Sequence, residues 1–439
     1  MKNSRRLIII VVVAVVVIAG VLIIGAVSGW NIRTGIFGKA AVETDASAVT
    51  VQDEGLSQET SEIAQEITAV AGASTESQES SLAEDSSVDA QNDVSGSSDT
   101  PPESQKVKVK AIYLSGTSAG SSKVLDRYID IINKTELNSV VIDVKEAGRV
   151  NYVSTVPAVA ENGLFVKYYD ADKVLKKLHD NNIYVIGRVV CYRDDGLASR
   201  RADLAIKRID GSIWKEGKLG AWTNPYLEEV WQYNVDIAKE AVAKGFDEIQ
   251  FDYVRFPTAK KSEVKYNGNS ISKVAAICSF LKLAKEELHD GLGVPVSADV
   301  FGIIAESRSD GEAIGQDLEK VGMDVDYISP MVYPSHYAKG QEVNGVIFPK
   351  PDFDPYGVVY QTLLKAKDRI SKVSGYTAQI RPYLQDFTAS YLHKGDYQEY
   401  GAEQVRQQIK AVYDAGFEEW ILWDGRNTYT IDALEKEQP

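Results

Sequence analysis

Two hydrophobic periods alternate along the chain after residue 105. Apolar residues at period two are typical of strands, and apolar residues spaced by three or four are typical of amphipathic helices. The pattern predicts eight strands, at 109–115, 139–146, 184–192, 248–256, 295–302, 327–333, 379–386 and 419–425. It predicts helices between them, at 122–135, 170–180, 225–244, 270–289, 310–322, 356–374 and 402–415.

This strict alternation favours parallel strands joined by right-handed crossovers. Eight such units in residues 106–439 predict a closed (β/α)8 TIM barrel, in which an active site lies at the C-terminal ends of the strands. A doubly wound open sheet is the alternative. It would carry a glycine-rich phosphate turn after the first strand, but Ser115–Gly120 has neither the GxGxxG nor the Walker spacing.

The fourth predicted strand has one unusual face. Period two places Gln250 and Asp252 on that face and Ile249, Phe251 and Tyr253 on the other. A carboxylate near the end of an apolar strand must be desolvated, paired or placed at an opening. Asp252 is therefore a candidate for chemistry, whereas the parity of Tyr253 assigns its ring to the packed core.

Other strand ends carry polar or aromatic residues that would surround the same opening of a closed barrel. We expect these residues, with Trp222 from the loop after strand three, to bind a substrate: Asp143, Lys145, Arg188, Tyr192, Trp222, Arg255, Tyr333, His336, Asp386, Trp423 and Asp424. Trp222 and Trp423 are the preferred stacking platforms, because flat apolar rings suit the faces of sugars.

A pair of carboxylates at one opening is the arrangement that cleaves glycosidic bonds, with one ionised and the other protonated. We assign Asp252 as the nucleophile because Arg255 and Arg188 could hold it ionised. Asp299, on the neighbouring strand, is the candidate acid/base. Three other carboxyl groups at strand ends are rivals for that role: Glu146, Asp386 and Asp424.

No metal or cofactor is expected. The four histidines of the chain show neither HxH nor HExxH spacing, and of the four only His336 follows a strand end. A ring of carboxylates could also bind Mg²⁺ or Ca²⁺, so a metal-dependent lyase or isomerase is a further alternative.

The N-terminal part of the chain differs in composition from the rest. Residues 7–30 are uncharged and apolar, which is long enough to cross a bilayer, and Lys2, Arg5 and Arg6 before them predict a cytoplasmic N-terminus. We expect residues 1–42 to be a cytoplasmic stub and a retained transmembrane anchor, a cleaved signal peptide being the alternative.

The net charge of −15 comes from a tail rather than from the barrel. Residues 43–105 hold fifteen acidic residues and no basic one among many Ser and Thr, which predicts a disordered linker. Residues 106–439 carry a net charge of only −5 and offer no basic surface for nucleic acid.

Four segments resemble one known family: Asp247–Pro257, Val141–Lys145, Gly187-Arg188 and Ser297–Gly302. They are similar to the putative glycoside hydrolase domain family of exported and membrane-anchored bacterial proteins, over about residues 107–432. The resemblance implies a TIM barrel distantly akin to α-amylase-like hydrolases, with Asp252 as nucleophile. The acid in those hydrolases is usually a Glu after strand five, which adds Glu306 to the candidates beside Asp299.

The sequence therefore predicts a single-pass protein of the cell membrane with an extracytoplasmic barrel that hydrolyses a cell-envelope or environmental polysaccharide. Its expected partners are that polysaccharide and, through residues 7–30, the lipid bilayer. The alternative is a carbohydrate-binding barrel without turnover.

Overall fold

The computed structural model describes residues 107–436 except Leu219 and Asn269. The predicted anchor (1–42) and linker (43–105) lie outside the described residues. Within the described part, no helix is both long enough and apolar enough to cross a membrane.

Eight parallel strands form a closed barrel. They are β1 Lys110–Leu114, β2 Ser139–Glu146, β3 Tyr184–Val190, β4 Glu248–Asp252, β5 Val296–Phe301, β6 Tyr327–Met331, β7 Tyr383–Gln385 and β8 Trp420–Trp423. A two-residue segment, Gln379–Ile380, precedes β7 and also pairs with β6. Each strand pairs with the next, and β8 pairs with β1, so the sheet has no open edge among these eight strands. The closure confirms the barrel and excludes the doubly wound sheet.

Helices lie between the strands as the apolar spacing predicts. The main ones are α1 Ser122–Ile132, α2 Ala171–His179, α3 Glu228–Lys244, α4 Lys273–Lys285, α5 Arg308–Ile314, α6 Pro355–Ile370 and α7 Ala402–Asp414. The helix predicted at 310–322 is broken, because Gly315 adopts φ 89° and ends α5 before the short helix Leu318–Val321. Helix α3 begins three residues later than predicted, at Glu228.

Shorter elements fill the connections. The short helices are Gly116–Gly120, Pro157–Asn162 and Asp195–Arg200, with a π-helical turn at Glu286–Asp290 and 3-10 turns at Gly302–Ala305, Pro334–His336, Pro351–Phe353 and Ile431–Ala433. The short strands are Arg149–Val150, Lys207–Arg208, Lys215–Glu216, Gly220–Ala221, Val264–Lys265, Gln341–Val343 and Val346–Phe348. Most of these elements lie in loops that follow the C-terminal ends of the strands, where a barrel places its active site.

Strand β4 shows how the pleat positions the site. Phe251 faces outward, where its ring contacts Phe280 of α4 at 5.0 Å. Gln250 faces inward and accepts a hydrogen bond from the Tyr383 hydroxyl at 2.5 Å. Asp252 has the same parity as Gln250 and ends the strand at the C-terminal mouth of the barrel.

Candidate active site

A pocket lies at the C-terminal mouth of the barrel. Its walls come from β3 to β8 and the loops that follow them: Arg188, Asp252, Tyr253, Arg255, Asp299, Phe301, Gln316, Met331, Tyr333, His336, Tyr383 and Trp423. Seven predicted site residues are therefore brought together here: Arg188, Asp252, Arg255, Asp299, Tyr333, His336 and Trp423.

Asp252 is held by three N–H donors. Its Oδ2 accepts from Arg188 Nε at 3.0 Å and Nη2 at 2.7 Å, and its Oδ1 accepts from the Tyr253 amide at 2.6 Å. The side chain is almost buried, so these bonds are screened little by water. Hydrogen bonds from a guanidinium to a carboxylate are short and directional, so they fix the orientation of the Asp252 side chain.

Arg188 also contacts two carboxylates of β2. Its Nη1 donates to Asp143 Oδ1 and to Glu146 Oε2, both at 2.7 Å. Burial raises the pKa of Asp143 to about 7, although Arg188 opposes the rise. The Asp143 Oδ2 accepts from the Tyr113 hydroxyl at 2.6 Å. Asp143 thus contacts Arg188 and is not among the residues that line this pocket, so its role as a substrate contact stays a prediction.

Asp299 has a different environment. The register of β4 and β5 pairs Phe251 with Ala298, which places Asp252 and Asp299 at the next position of neighbouring strands. Asp299 is 2% exposed, and its Oδ1 has no hydrogen-bond partner among the described residues. Burial, together with the negative charge of Asp252, holds the pKa of Asp299 well above its usual range.

The wall formed by β6 to β8 is aromatic. The His336 ring packs edge to face against the Tyr333 ring, with 5.0 Å between the ring centroids. Neither nitrogen of the His336 ring has a hydrogen-bond partner among the described residues. Burial lowers the pKa of His336 to about 3, so the imidazole is neutral. Trp423 stacks on Tyr113 at 4.1 Å, which fixes its ring beside Arg188.

Arg255 closes the opposite side. Its guanidinium lies over the rings of Trp222, Tyr253 and Phe301, at 4.9, 5.0 and 4.6 Å. The Trp222 ring is fully buried behind Arg255 and donates to Glu216 at 2.9 Å. Trp222 therefore supports the wall and is not the exposed stacking platform that the sequence predicts.

Two predicted contacts lie in the layer between barrel and helices instead. Lys145 Nζ bonds to Asp194 at 2.7 Å and Asn234 at 2.8 Å, because a register shift between Asp143 and Lys145 breaks the expected parity. The Tyr192 ring packs against Phe280 of α4 at 5.7 Å, beyond the last residue of β3. Neither side chain lines the pocket.

The rival acids are occupied elsewhere. Both Asp386 oxygens accept from Thr430, at 2.9 and 2.6 Å, and Asp424 accepts from the Arg426 and Thr428 amides at 3.1 and 3.0 Å. These two aspartates hold the loop after β8 and do not line the pocket, in contrast to the prediction.

The two rival glutamates are also engaged. Burial alone would raise the pKa of Glu146. The positive charges of Arg188 and Arg193 outweigh this effect and lower the pKa, which keeps Glu146 ionised. Glu306 accepts from the Asn344 amide at 3.0 Å and lies outside the pocket lining. Of the carboxyl groups considered, Asp299 alone combines a raised pKa with a place on the pocket wall.

Sequence reasoning missed several lining residues. Tyr253 reaches the pocket because its backbone turns left-handed, at φ 49°, so strand alternation ends at Asp252. Gln316 comes from the turn after α5 and donates to the Asp299 carbonyl at 3.2 Å, a contact that no local pattern indicates. Tyr383 also lines the pocket, and its place on the seventh predicted strand does predict a position near the opening.

Metal ligation was also considered. Among residues 107–436, leaving aside Leu219 and Asn269, no group of three or more His, Cys, Asp or Glu side chains is arranged to hold a metal ion. Where carboxylates do converge, the Arg188 guanidinium lies between them.

The family of the chain follows from its sequence. Residues 111–429 match the model of a family described as "Putative glycosyl hydrolase domain". The chain belongs to this family. The match confirms the resemblance of the strand-end motifs, and it spans all eight strands from β1 to the loop after β8 except the first residue of β1. A comparison with curated proteins finds no match.

Solved structures resemble the barrel. The glycoside hydrolase domain of PgaB (BpsB) from Bordetella bronchiseptica is 13% identical over 72% of this chain and 94% of that chain, with a TM-score of 0.52. This likeness concerns the fold. A hypothetical protein from Ruminiclostridium thermocellum is 46% identical over 43% of this chain and 97% of that one, with a TM-score of 0.41. The Bacillus cereus spore cortex-lytic enzyme SleL is 14% identical over 76% and 74%, with a TM-score of 0.42.

Proposed function

We propose that this barrel is a glycoside hydrolase in which Asp252 and Asp299 are the catalytic pair. The observation that carries the proposal is the asymmetry of the pair. Asp252 accepts three N–H bonds, whereas Asp299 is buried on the same pocket wall with an oxygen that has no described partner. One carboxyl group is thus suited to be an anion and the other to be an acid.

The chemistry assigns each group a step. Asp299 donates its proton to the glycosidic oxygen as the bond to the anomeric carbon breaks. Asp252 supplies its negative charge to the oxocarbenium-like centre, as a nucleophile or as the base that activates water. Arg188 donates two hydrogen bonds to Asp252 Oδ2, which orient the carboxylate on the pocket wall. Proton NMR of the first-formed anomer distinguishes retention from inversion.

The substrate class proposed is a cell-envelope or environmental polysaccharide. Support comes from the family and from the aromatic wall of the pocket, where Trp423, Tyr333 and Tyr383 offer faces and edges to a sugar ring. A panel of purified glycans incubated with the full-length chain, with reducing ends measured, identifies the sugar and linkage.

The decisive variant is Asp252→Asn. It removes the charge but keeps the shape, so we expect the rate on the active glycan to fall roughly a thousandfold or more while binding is kept. Asp126→Asn, which replaces an exposed aspartate of α1, is the matched control and should retain the wild-type rate. If the wild type binds glycans but hydrolyses none of the panel, the barrel is a carbohydrate-binding protein. Activity lost in EDTA would instead indicate a metal-dependent reaction.

The proposal extends to location. Residues 7–30 would anchor the chain in the bilayer, and residues 43–105 would tether an extracytoplasmic barrel to that anchor. Support comes from the apolar run, the preceding basic residues and the acidic composition of the tether. We expect the full chain to fractionate with membranes, and mild proteolysis of intact cells to release a fragment that contains the barrel.

A further inference from the structure

Buried polar atoms without a partner are rare in folded proteins, since each costs a lost hydrogen bond. Among the described residues, His336 is the one side chain with two such atoms, Nδ1 and Nε2. Asp299 Oδ1 is a third, and it lines the same pocket. Three polar atoms that the protein leaves unpaired on one pocket wall point to a ligand that pairs them.

The surroundings of His336 define what this ligand offers. The residue is 4% exposed and follows β6 in the turn Pro334–His336, with its ring fixed against Tyr333. The two residues next to it in the sequence are hydrogen-bonded: Ser335 bonds to Tyr391 at 2.9 Å, and Tyr337 bonds to Thr362 at 2.9 Å. These bonds fix the position of the turn, while both nitrogens of the His336 imidazole lack a partner among the described residues.

A neutral imidazole has one N–H donor and one nitrogen acceptor. Its pKa of about 3 keeps it in this form at all ordinary pH values. It carries no charge of its own for an ion pair, so it recognises a ligand through hydrogen bonds. Hydroxyl groups suit it best, because each can both donate and accept.

We propose that His336 is a sugar-binding residue that donates to one ring hydroxyl and accepts from another, and so selects a sugar with two hydroxyl groups at this position beside the catalytic pair. The inference rests on the proposed function for the identity of the ligand. It goes further by assigning a specificity-determining contact to His336 and a pair of sugar hydroxyl groups to its subsite.

Stability of the ligand-free chain is the first test. An unpaired polar side chain kept for a ligand costs stability, so His336→Phe and the smaller His336→Leu should each raise the unfolding temperature of the full-length chain by about 2 °C or more. Tyr337→Phe is the matched control: it removes a satisfied hydroxyl one residue away and should lower that temperature. A decrease in both His336 variants, as in the control, would overturn the proposal.

Sugar binding is the second test. D-glucose, D-galactose and N-acetyl-D-glucosamine serve as probes, and at least one should raise the unfolding temperature of the wild type and of Tyr337→Phe. The same sugar should have no effect on His336→Phe or His336→Leu, and a reduced effect on His336→Gln, which keeps a donor and an acceptor. A wild-type shift that survives in His336→Phe contradicts the assignment, as does the absence of any shift in the wild type.

These outcomes separate the inference from the proposed function. If the chain binds a sugar through His336 but cleaves no glycan, the hydrolase proposal is wrong and the assignment of His336 as a sugar-binding residue is supported. Where a glycan is cleaved, His336→Phe should lower kcat/KM about 10- to 100-fold, and a substrate that lacks the contacted hydroxyl should show no further loss.

Discussion

Four aspartates at strand ends differ in what their oxygens contact. Asp252 faces a guanidinium, Asp299 faces the pocket, and Asp386 and Asp424 bond to the loop after β8. Burial raises the pKa of Asp299, Asp386 and Asp424, but only Asp299 faces a space that a substrate can enter. The protonation of a residue and its access to the pocket must therefore be judged together.

Asp386 gives a pH prediction. Burial raises its pKa from 3.8 to about 6, against the opposing hydrogen bonds from Thr430. The native state therefore holds a proton that the unfolded state releases between about pH 4 and pH 6, and the associated stability is lost as pH rises through the native pKa. Asp386→Asn has no proton to lose, and its amide can still accept from one Thr430 donor while donating to the hydroxyl.

We expect the stability of Asp386→Asn relative to wild type to grow by up to about 3 kcal/mol from pH 4 to pH 7. Urea unfolding of both proteins at several pH values measures this difference. A difference that stays constant with pH would show that the pKa of Asp386 is the same in the native and unfolded states.

At the scale of elements, Arg188 of β3 ties its strand to both neighbours through Asp143 and Glu146 of β2 and Asp252 of β4. Arg188→Met leaves these acids without their cation in a buried site, so we expect a loss of about 3–5 kcal/mol in unfolding free energy at pH 7. The loss should shrink at pH 4, where the acids take up protons more easily.

Arg201→Met is the control for this prediction. Arg201 pairs with Asp203 and Glu229 at the surface, where such a pair contributes less than about 1 kcal/mol. Equal losses in the two variants at pH 7 would mean that the Arg188 cluster contributes no more than a surface pair.

The barrel elements were predictable because apolar period is local: all eight strands appear within a few residues of their predicted bounds. The positions of individual side chains were harder to predict from the sequence. The parity of Lys145 fails at a register shift, and that of Tyr253 fails at a left-handed residue. Both irregularities depend on contacts with distant segments, such as Asn234 for Lys145 and Arg193 for Tyr253.

The same limit applies to the candidate pair. Strand parity was enough to bring Asp252 and Asp299 to one pocket, whereas the choice of Asp299 over its rivals needed the tertiary partners of those rivals. Thr430, which occupies Asp386, is 44 residues away in sequence. No spacing rule connects the two, because the loop after β8 returns to β7 only in the folded barrel.

Across the whole molecule, the two ends of the barrel treat buried charge differently. At the N-terminal end, Arg381 donates to Glu248 and to Glu419, each at 2.8 Å, and its guanidinium lies 3.6 Å from the Tyr327 ring centre. This cluster links β4, β6 and the starts of β7 and β8. At the C-terminal end, Asp299 and His336 have buried polar atoms without a described partner and line the pocket, whereas Arg381, with one such atom in Nη2, does not line it. Stability and binding should therefore be separable by position along the barrel axis.

Arg381 provides the test of this separation. Arg381→Met leaves Glu248 and Glu419 buried without their cation, and we expect the unfolding free energy to fall by about 3–5 kcal/mol. Adding Glu248→Gln and Glu419→Gln to the same chain removes the unpaired charges. This should recover most of the lost unfolding free energy, because that loss comes from burying carboxylates without a cation. The rise in unfolding temperature that a bound sugar produces should be unchanged in both variants, since no residue of this cluster lines the pocket. Urea unfolding with and without the sugar measures both quantities. A sugar-induced shift that disappears with Arg381→Met would mean that the two ends of the barrel are coupled.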